Sequence, residues 1–203
     1  MPASLSEWDA RHQAAAEGAP PEPASFVREL LPLLPMGPAL DLACGTGRHT
    51  LLLASRGQAV TAVDGSGVAL EVLERRAREL DYRVSRIGDS RRIAGSSREI
   101  QLVDADLEQT TLARSSFSLI LCVHYLQRSL FAAMQAALVP GGMLLFETYT
   151  RAQIDSAGGP KNPAYLLEIG ELRTAFPELR IVFYRELRAG KGIASLIAQR
   201  AVG

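Results

Sequence analysis

Cysteine, lysine and tryptophan are the scarce residues of this chain. Its 203 residues include 2 cysteines and 1 tryptophan, and lysine occurs only at Lys161 and Lys191. Cys44 and Cys122 stand in apolar surroundings without a C-x-x-C spacing, which argues against a disulfide framework and against a zinc site. Arginine takes the place of lysine, a compositional bias rather than a functional signal. An excess of either charge is also missing, since Lys+Arg and Asp+Glu are both 22 and the formal net charge is +0. General nucleic-acid binders and anionic-membrane binders need a basic face, so neither partner is expected. No apolar run approaches the roughly 20 residues of a membrane span, and the stretch 30–34 is broken by Pro32. The first ten residues are polar and acidic, without the apolar core of a signal peptide. A cytoplasmic globular protein is expected, long enough for one compact domain.

What is present is alternation. Residues 4–17 are polar and helix-compatible, with Trp8 as one large apolar anchor, before Ala19-Pro20-Pro21-Glu22-Pro23 breaks any helix. The stretch 25–34 places Phe26, Val27, Leu30, Leu31 and Leu34 at helical spacing, and Pro35 stops it. Short apolar runs at 39–43, 59–64, 100–104, 117–123 and 143–149 read as strands. Amphipathic stretches at 48–56, 68–80 and 129–138 read as helices between them. This order predicts right-handed crossovers and a buried parallel sheet. Further on, 168–176 reads as a helix, and 179–187 and 193–202 as strands. Their short glycine-containing connection predicts an antiparallel hairpin. The segment 81–99, with Arg83, Arg86, Arg91, Arg92 and Arg98, is expected to be a mobile surface insertion. The segment 151–162 reads as a loop at the carboxyl edge of the sheet, where ligands bind. The expected organisation is a helical lid over 1–35 and one domain over 36–203.

The densest chemical signal is Ala39-Leu40-Asp41-Leu42-Ala43-Cys44-Gly45-Thr46-Gly47-Arg48. A strand runs into a glycine turn that opens a helix, so backbone approaches a ligand closely and unpaired N–H groups face an anionic end. Thr50 stands where a dinucleotide fingerprint has its third glycine, which counts against a nicotinamide cofactor and its pyrophosphate. Asp41 lies inside the first strand, where it can meet an ammonium. Asp64 ends the second, where a carboxylate accepts both ribose hydroxyls. Asp106 follows the third and can accept from an adenine amino group, with Leu107 against the ring. Any one of these acids can equally be a helix or turn cap. Together they describe a ligand with an amine, a ribose and an adenine.

At these residues the chain resembles the class I S-adenosylmethionine-dependent methyltransferases, over nearly its whole length. Asp41 to Gly47 is similar to that family's glycine-rich first motif, Asp64 to its ribose-binding acid, and Asp106-Leu107 to its adenine-contacting pair. Phe117 to His124 resembles the fourth motif, and Leu138-Val139-Pro140-Gly141-Gly142-Met143-Leu144 the fifth. The resemblance implies an α/β, Rossmann-like three-layer sandwich. Its seven-stranded, mostly parallel sheet would have the order 3-2-1-4-5-7-6 and an antiparallel C-terminal hairpin. It implies S-adenosylmethionine as cofactor, with S-adenosylhomocysteine as product. The residues that would hold them are Asp41, Ala43, Cys44, Gly45, Thr46, Gly47, Arg48, Asp64, Gly65, Asp106, Leu107 and Cys122. Within the class the nearest likeness is to tellurite-resistance-type methyltransferases, through Gly45 to His49, Leu51 to Gly57, Glu168 to Arg173, Phe176 and Tyr184-Arg185-Glu186. Arg188-Ala189 departs from it, standing where those enzymes carry a His-Arg pair.

Methyl transfer is an in-line displacement at an already activated carbon, so the protein mainly aligns nucleophile and methyl. A base is needed only when the acceptor must lose a proton. His124, Tyr125, Glu147, Tyr149 and Arg151 lie past the ends of the fourth and fifth strands. His124 is the first choice as base or orienting group, and Tyr149 and Arg151 as binders of a polar or anionic acceptor. A histidine packed on the cofactor and a solvated arginine are the plainer readings of the same residues. The expected protein is a monomer or homodimer acting on a small-molecule acceptor, without a metal. The alternatives are a methyltransferase of protein or nucleic acid, docking through 81–99, and a cofactor-binding protein without catalysis.

Overall fold

The computed structural model describes residues 5–16, 18, 20–87, 92–93, 99–188 and 190–202. In chain order the elements begin α1 (Leu5–Ala16), α2 (Ser25–Leu30), β1 (Ala39–Leu42), α3 (Arg48–Ser55), β2 (Val60–Asp64), α4 (Gly67–Glu79) and β3 (Val84–Ile87). They continue with β4 (Arg92–Ile93), β5 (Ile100–Asp104), β6 (Thr111–Leu112), β7 (Phe117–Val123), α5 (Phe131–Ala137), β8 (Leu138–Tyr149), β9 (Leu179–Leu187) and β10 (Ile193–Arg200).

Eight strands form one sheet in the order β3-β5-β2-β1-β7-β8-β10-β9. All neighbours from β3 to β8 are parallel, whereas β10 runs antiparallel to both β8 and β9. A separate parallel pair joins β4 to β6. The central strands are the continuous apolar runs of the sequence, and β1 is buried at every position, as a strand covered on both faces must be. Two apolar clusters divide by strand parity. Leu40, Leu42, Ile120, Leu144 and Phe146 pack towards Met134 and Ala137 of α5. Ala39, Leu119, Leu121 and Leu145 pack towards Phe26 of α2, Leu53 of α3 and Leu70 and Leu73 of α4. Asp41 shares the second face with Ala39, beneath α3. Glu147 and Tyr149 share it with Leu145. None of the described helices is long and apolar enough to cross a membrane.

The sheet has eight strands, so the expected seven-strand order 3-2-1-4-5-7-6 is not that of the whole sheet; the difference is the added edge strand β3. It is built from the Arg-rich segment that reads as a loop. Val84 packs against the cluster beneath α4. Arg86 lies 3.8 Å from Glu74 and 3.9 Å from Asp104, so acids of α4 and β5 answer its charge. Charge on an edge strand also opposes unwanted strand pairing. The remaining expected insertion residues 88–91 and 94–98 lie outside the described residues. A second correction concerns 168–176, where only a 3-10 turn, Glu171–Arg173, forms. Gly170 precedes it at φ 81, and the Glu171 carboxylate accepts from the Glu168 N–H at 2.7 Å. That local bond competes with a regular helix. The helix expected over 25–34 is divided for a different reason. Pro32 sits in a 3-10 turn, Leu31–Leu33, that follows α2.

Candidate active site

The carboxyl ends of β1 and β2 flank the turn from β1 into α3. Ala43 at φ 55, Gly45 at φ 53 and Gly47 at φ 85 reverse the chain there. Asp64 closes β2 and supports this turn from below. Its Oδ2 accepts the Gly45 N–H at 2.8 Å and its Oδ1 the Ser66 N–H at 2.9 Å, which leaves lone pairs on both oxygens. Burial raises the Asp64 pKa, against these bonds and the nearby His12. The Ser66 hydroxyl accepts from the Ala69 N–H at 3.1 Å, capping α4, and donates to Asp9 of α1 at 2.5 Å. A Cβ on Gly45 would lie 3.4 Å from His12 Cε1, so α1 crosses directly over the glycine turn. Gly65 is equally close-set, its Cβ position 3.6 Å from the Ala105 carbonyl oxygen.

The other two acids differ from each other. Asp41 is buried, its Oδ2 takes the Thr50 hydroxyl at 2.6 Å, and burial pushes its pKa up to about 6. Asp106 is exposed and organises its own turn, accepting from the Glu108 N–H and the Gln109 side chain, each at 2.9 Å. Leu107 beside it is buried. Thr46 accepts from Arg76 through its carbonyl at 3.4 Å. Cys44 and Cys122 are buried, and burial raises both thiols above the ordinary range. They donate weakly to the carbonyls of Gly45 and Tyr125. Both are therefore packing groups rather than nucleophiles.

A second cluster adjoins the turn at the ends of β7 and β8. His124 has φ 61, and its N–H donates to the Glu147 carbonyl at 2.7 Å. Its ring stacks on Tyr149 with centroids 4.9 Å apart. Arg48 Nη2 lies 3.0 Å from His124 Nδ1. A guanidinium only donates, so Nδ1 accepts and the neutral ring carries its proton on Nε2. Nε2 points towards Glu147 Oε1 at 3.9 Å, beyond hydrogen-bond range. Burial, with Arg48 and Lys191, pushes the His124 pKa down to about 4. Glu147 is itself buried. It takes the Ser195 hydroxyl at 2.6 Å and lies 3.6 Å from Arg185, while burial raises its pKa.

A family model described as a methyltransferase domain matches residues 39–142. The chain belongs to this methyltransferase family. Its sequence is 31% identical to the cypemycin N-terminal methyltransferase of a Streptomyces species over 121 residues, 59% of this chain and 45% of that protein. The chain thus spans about half the length of that relative. Among solved structures, an S-adenosylmethionine dependent methyltransferase from Mesorhizobium loti covers 91% of this chain and 100% of its own, at 20% identity and TM-score 0.64. TehB from Haemophilus influenzae gives 88% and 62%, at 16% identity and TM-score 0.65. The N-methyltransferase NodS from Bradyrhizobium japonicum gives 95% and 95%, at 17% identity and TM-score 0.64. These likenesses concern the fold.

S-adenosylmethionine is the cofactor of this methyltransferase family, and the donor set fits it. The Asp64 carboxylate with free lone pairs suits vicinal hydroxyls, and a glycine turn at a helix start suits a ligand's anionic end. Of the expected acceptor-side residues, the fold brings His124 and Tyr149 together but not Arg151. Arg151 Nε donates to Glu168 at 2.6 Å on a neighbouring loop. Ser195 and Arg185 join the cluster without any local signal, because only the register of β8, β10 and β9 sets them opposite Glu147. His12 and Asp9 arrive from α1, within the stretch expected as a helical lid. Thr50, noticed for the glycine it replaces, is the hydrogen-bond partner of Asp41.

His49 has a structural part. It is 4% exposed, its Nε2 accepts the Ala24 N–H at 3.1 Å, and burial pushes its pKa down to about 3. The unfolded chain binds a proton at this site near the ordinary 6.5 while the folded one does not. Stability from His49 is therefore complete above that value and is lost as pH falls towards 3. Between pH 6.5 and 5 the loss is about 2 kcal/mol. Asp41, whose pKa is raised on folding, acts in the opposite sense below pH 6, so the comparison must isolate the histidine. Between pH 7 and pH 5 the urea midpoint of wild type should fall relative to that of His49→Gln, which retains an acceptor for Ala24 but cannot take up a proton. A constant gap would remove His49 from acid sensitivity.

Proposed function

We propose that this methyltransferase acts on a small-molecule acceptor held at the ends of β7 and β8. The observation that carries this reading is the compact polar cluster of Arg48, His124, Glu147 and Tyr149 beside the glycine turn. Bound S-adenosylmethionine supplies an activated methyl group for in-line displacement. In this reading Asp64 holds the ribose hydroxyls, Asp106 and Leu107 hold the adenine, and Asp41 lies under the amino-acid end. Gly45, Thr46 and Gly47 provide the close backbone, and Arg48 meets the carboxylate. His124 takes a proton or orients the acceptor, and Tyr149 fixes its ring plane. An amine is the first acceptor to try, because a relative is named for methylating an N-terminus. The likeness to tellurite-resistance enzymes extends the screen to soft anions. The helix α1 over the turn supports a lid.

The test is calorimetric titration with S-adenosylmethionine and S-adenosylhomocysteine, with NADH as control, followed by a screen of amines, thiols and soft anions. Micromolar binding of the sulfur nucleosides and methylation of a small acceptor are expected. Binding without turnover on any small acceptor, but with turnover on protein or nucleic acid, would reverse the proposal. Asp64→Ala should weaken S-adenosylhomocysteine binding by about 1–3 kcal/mol, the loss of a charged hydrogen-bond acceptor. An unchanged dissociation constant would remove Asp64 from the ribose role.

A further inference from the structure

Arg48 is the first residue of α3, so its backbone belongs to the glycine turn while its side chain reaches across to β7. There it occupies the one lone pair that a base at His124 would use. The ring is otherwise fixed. Tyr149 stacks on it, and the chain at His124 is locked in a left-handed conformation by the bond to the Glu147 carbonyl. The groups facing the ring are Arg48 and His49 from α3, Glu147 and Tyr149 from β8, and Lys191 from the β9–β10 connection. Glu147 is the one acid of this set.

We propose that Arg48 is a positioning residue that masks His124 in the free protein and unmasks it when the methionyl carboxylate of the cofactor takes the guanidinium. Seating the donor and arming the base are then one event. This rests on the cofactor placement proposed above. A neutral imidazole nitrogen is a weak competitor for a guanidinium. A carboxylate matches the guanidinium fork with two parallel bonds and adds the attraction of opposite charges, which the neutral ring lacks. Once Arg48 turns to the carboxylate, Nδ1 regains its lone pair and the positive charge beside the ring is neutralised. Both changes favour the protonated ring, so its pKa rises from about 4 towards the ordinary value and the complex takes up a proton in mildly acidic solution. A freed Nδ1 serves an acceptor that has a proton to lose, such as an amine, hydroxyl or thiol.

The chain has 3 histidines, so ring NMR resolves each, with His124→Asn identifying the signal. Titrations are run on the free protein, with S-adenosylhomocysteine, and with 5′-methylthioadenosine, which lacks the amino-acid end. The full ligand should raise the His124 midpoint by about one pH unit or more, and the truncated one should not. Free Arg48→Met should already show the raised midpoint, with no further rise on adding S-adenosylhomocysteine. Bound S-adenosylhomocysteine with an unmoved midpoint, or an equal rise with both ligands, overturns the switch alone. Failure of folded protein to bind either ligand overturns the cofactor placement, and the switch with it.

Discussion

Gly47→Ala should destabilise the protein by about 2–5 kcal/mol, the sum of two separate penalties. The backbone at Gly47 has φ 85 and ψ 21, a left-handed conformation that costs a residue with a Cβ roughly 1–2 kcal/mol. The added methyl would lie 2.1 Å from Leu73 Cδ1, 2.8 Å from its Cγ and 2.9 Å from its Cδ2. Leu73 is fully buried among Leu53, Leu70 and their neighbours, so it has no vacant space to enter. Overpacking of that kind costs about 1–3 kcal/mol. The two penalties can be separated. Leu73→Ala makes room but leaves the dihedral strain, so Gly47→Ala in that background should cost only the conformational part. Urea denaturation of both single variants and the double variant forms the cycle. Strict additivity would show that the clash is relieved elsewhere and that Gly47 matters for its backbone angle alone. Because the N–H of Gly45 is held by Asp64 two residues away, displacing this turn should also weaken S-adenosylhomocysteine binding.

Much of this fold is legible from uninterrupted apolar runs, and the failures have physical causes. β5 and β7 occupy the residues their sequence pattern marks, because a strand buried between layers leaves little room for polar residues, and the edge strand β9 is marked instead by the short glycine-containing connection of its hairpin. β3 is hidden by the opposite condition. An edge strand has one neighbour and an open side, so Arg86 gives it the look of a loop, and the partners of Arg86, Glu74 and Asp104, are distant in sequence. The acids are legible by position but not by state. Asp41, Asp64 and Asp106 look equivalent as strand-end carboxylates, yet one is buried under Thr50, one supports two amides, and one caps its own turn. The polar cluster at the ends of β7 and β8 is half legible. His124 follows an apolar strand and Tyr149 ends one, so both can be found by that rule, as can Arg151, whose side chain turns away to Glu168. Arg185 and Ser195 follow no such rule, since an antiparallel register brings them to Glu147.

The largest effect on activity should come from His124→Asn. Asparagine is among the few residues that accept a left-handed backbone, so φ 61 and the N–H bond to the Glu147 carbonyl can survive the change. What is lost is the imidazole lone pair. With an acceptor that must surrender a proton, general base catalysis contributes about 10²–10⁴-fold, and kcat should fall by that factor. S-adenosylhomocysteine affinity should move little, because the ring touches the donor site only through Arg48. The pH dependence carries a further mark. A histidine base works only when deprotonated, so the wild-type rate should decline as pH falls through the His124 pKa of the complex. The variant should lack that limb. A soft anion has no proton to give, and for such an acceptor the same substitution should cost less than about tenfold, with no limb to remove. The size of the loss and the shape of the pH profile therefore report together on which kind of atom receives the methyl group.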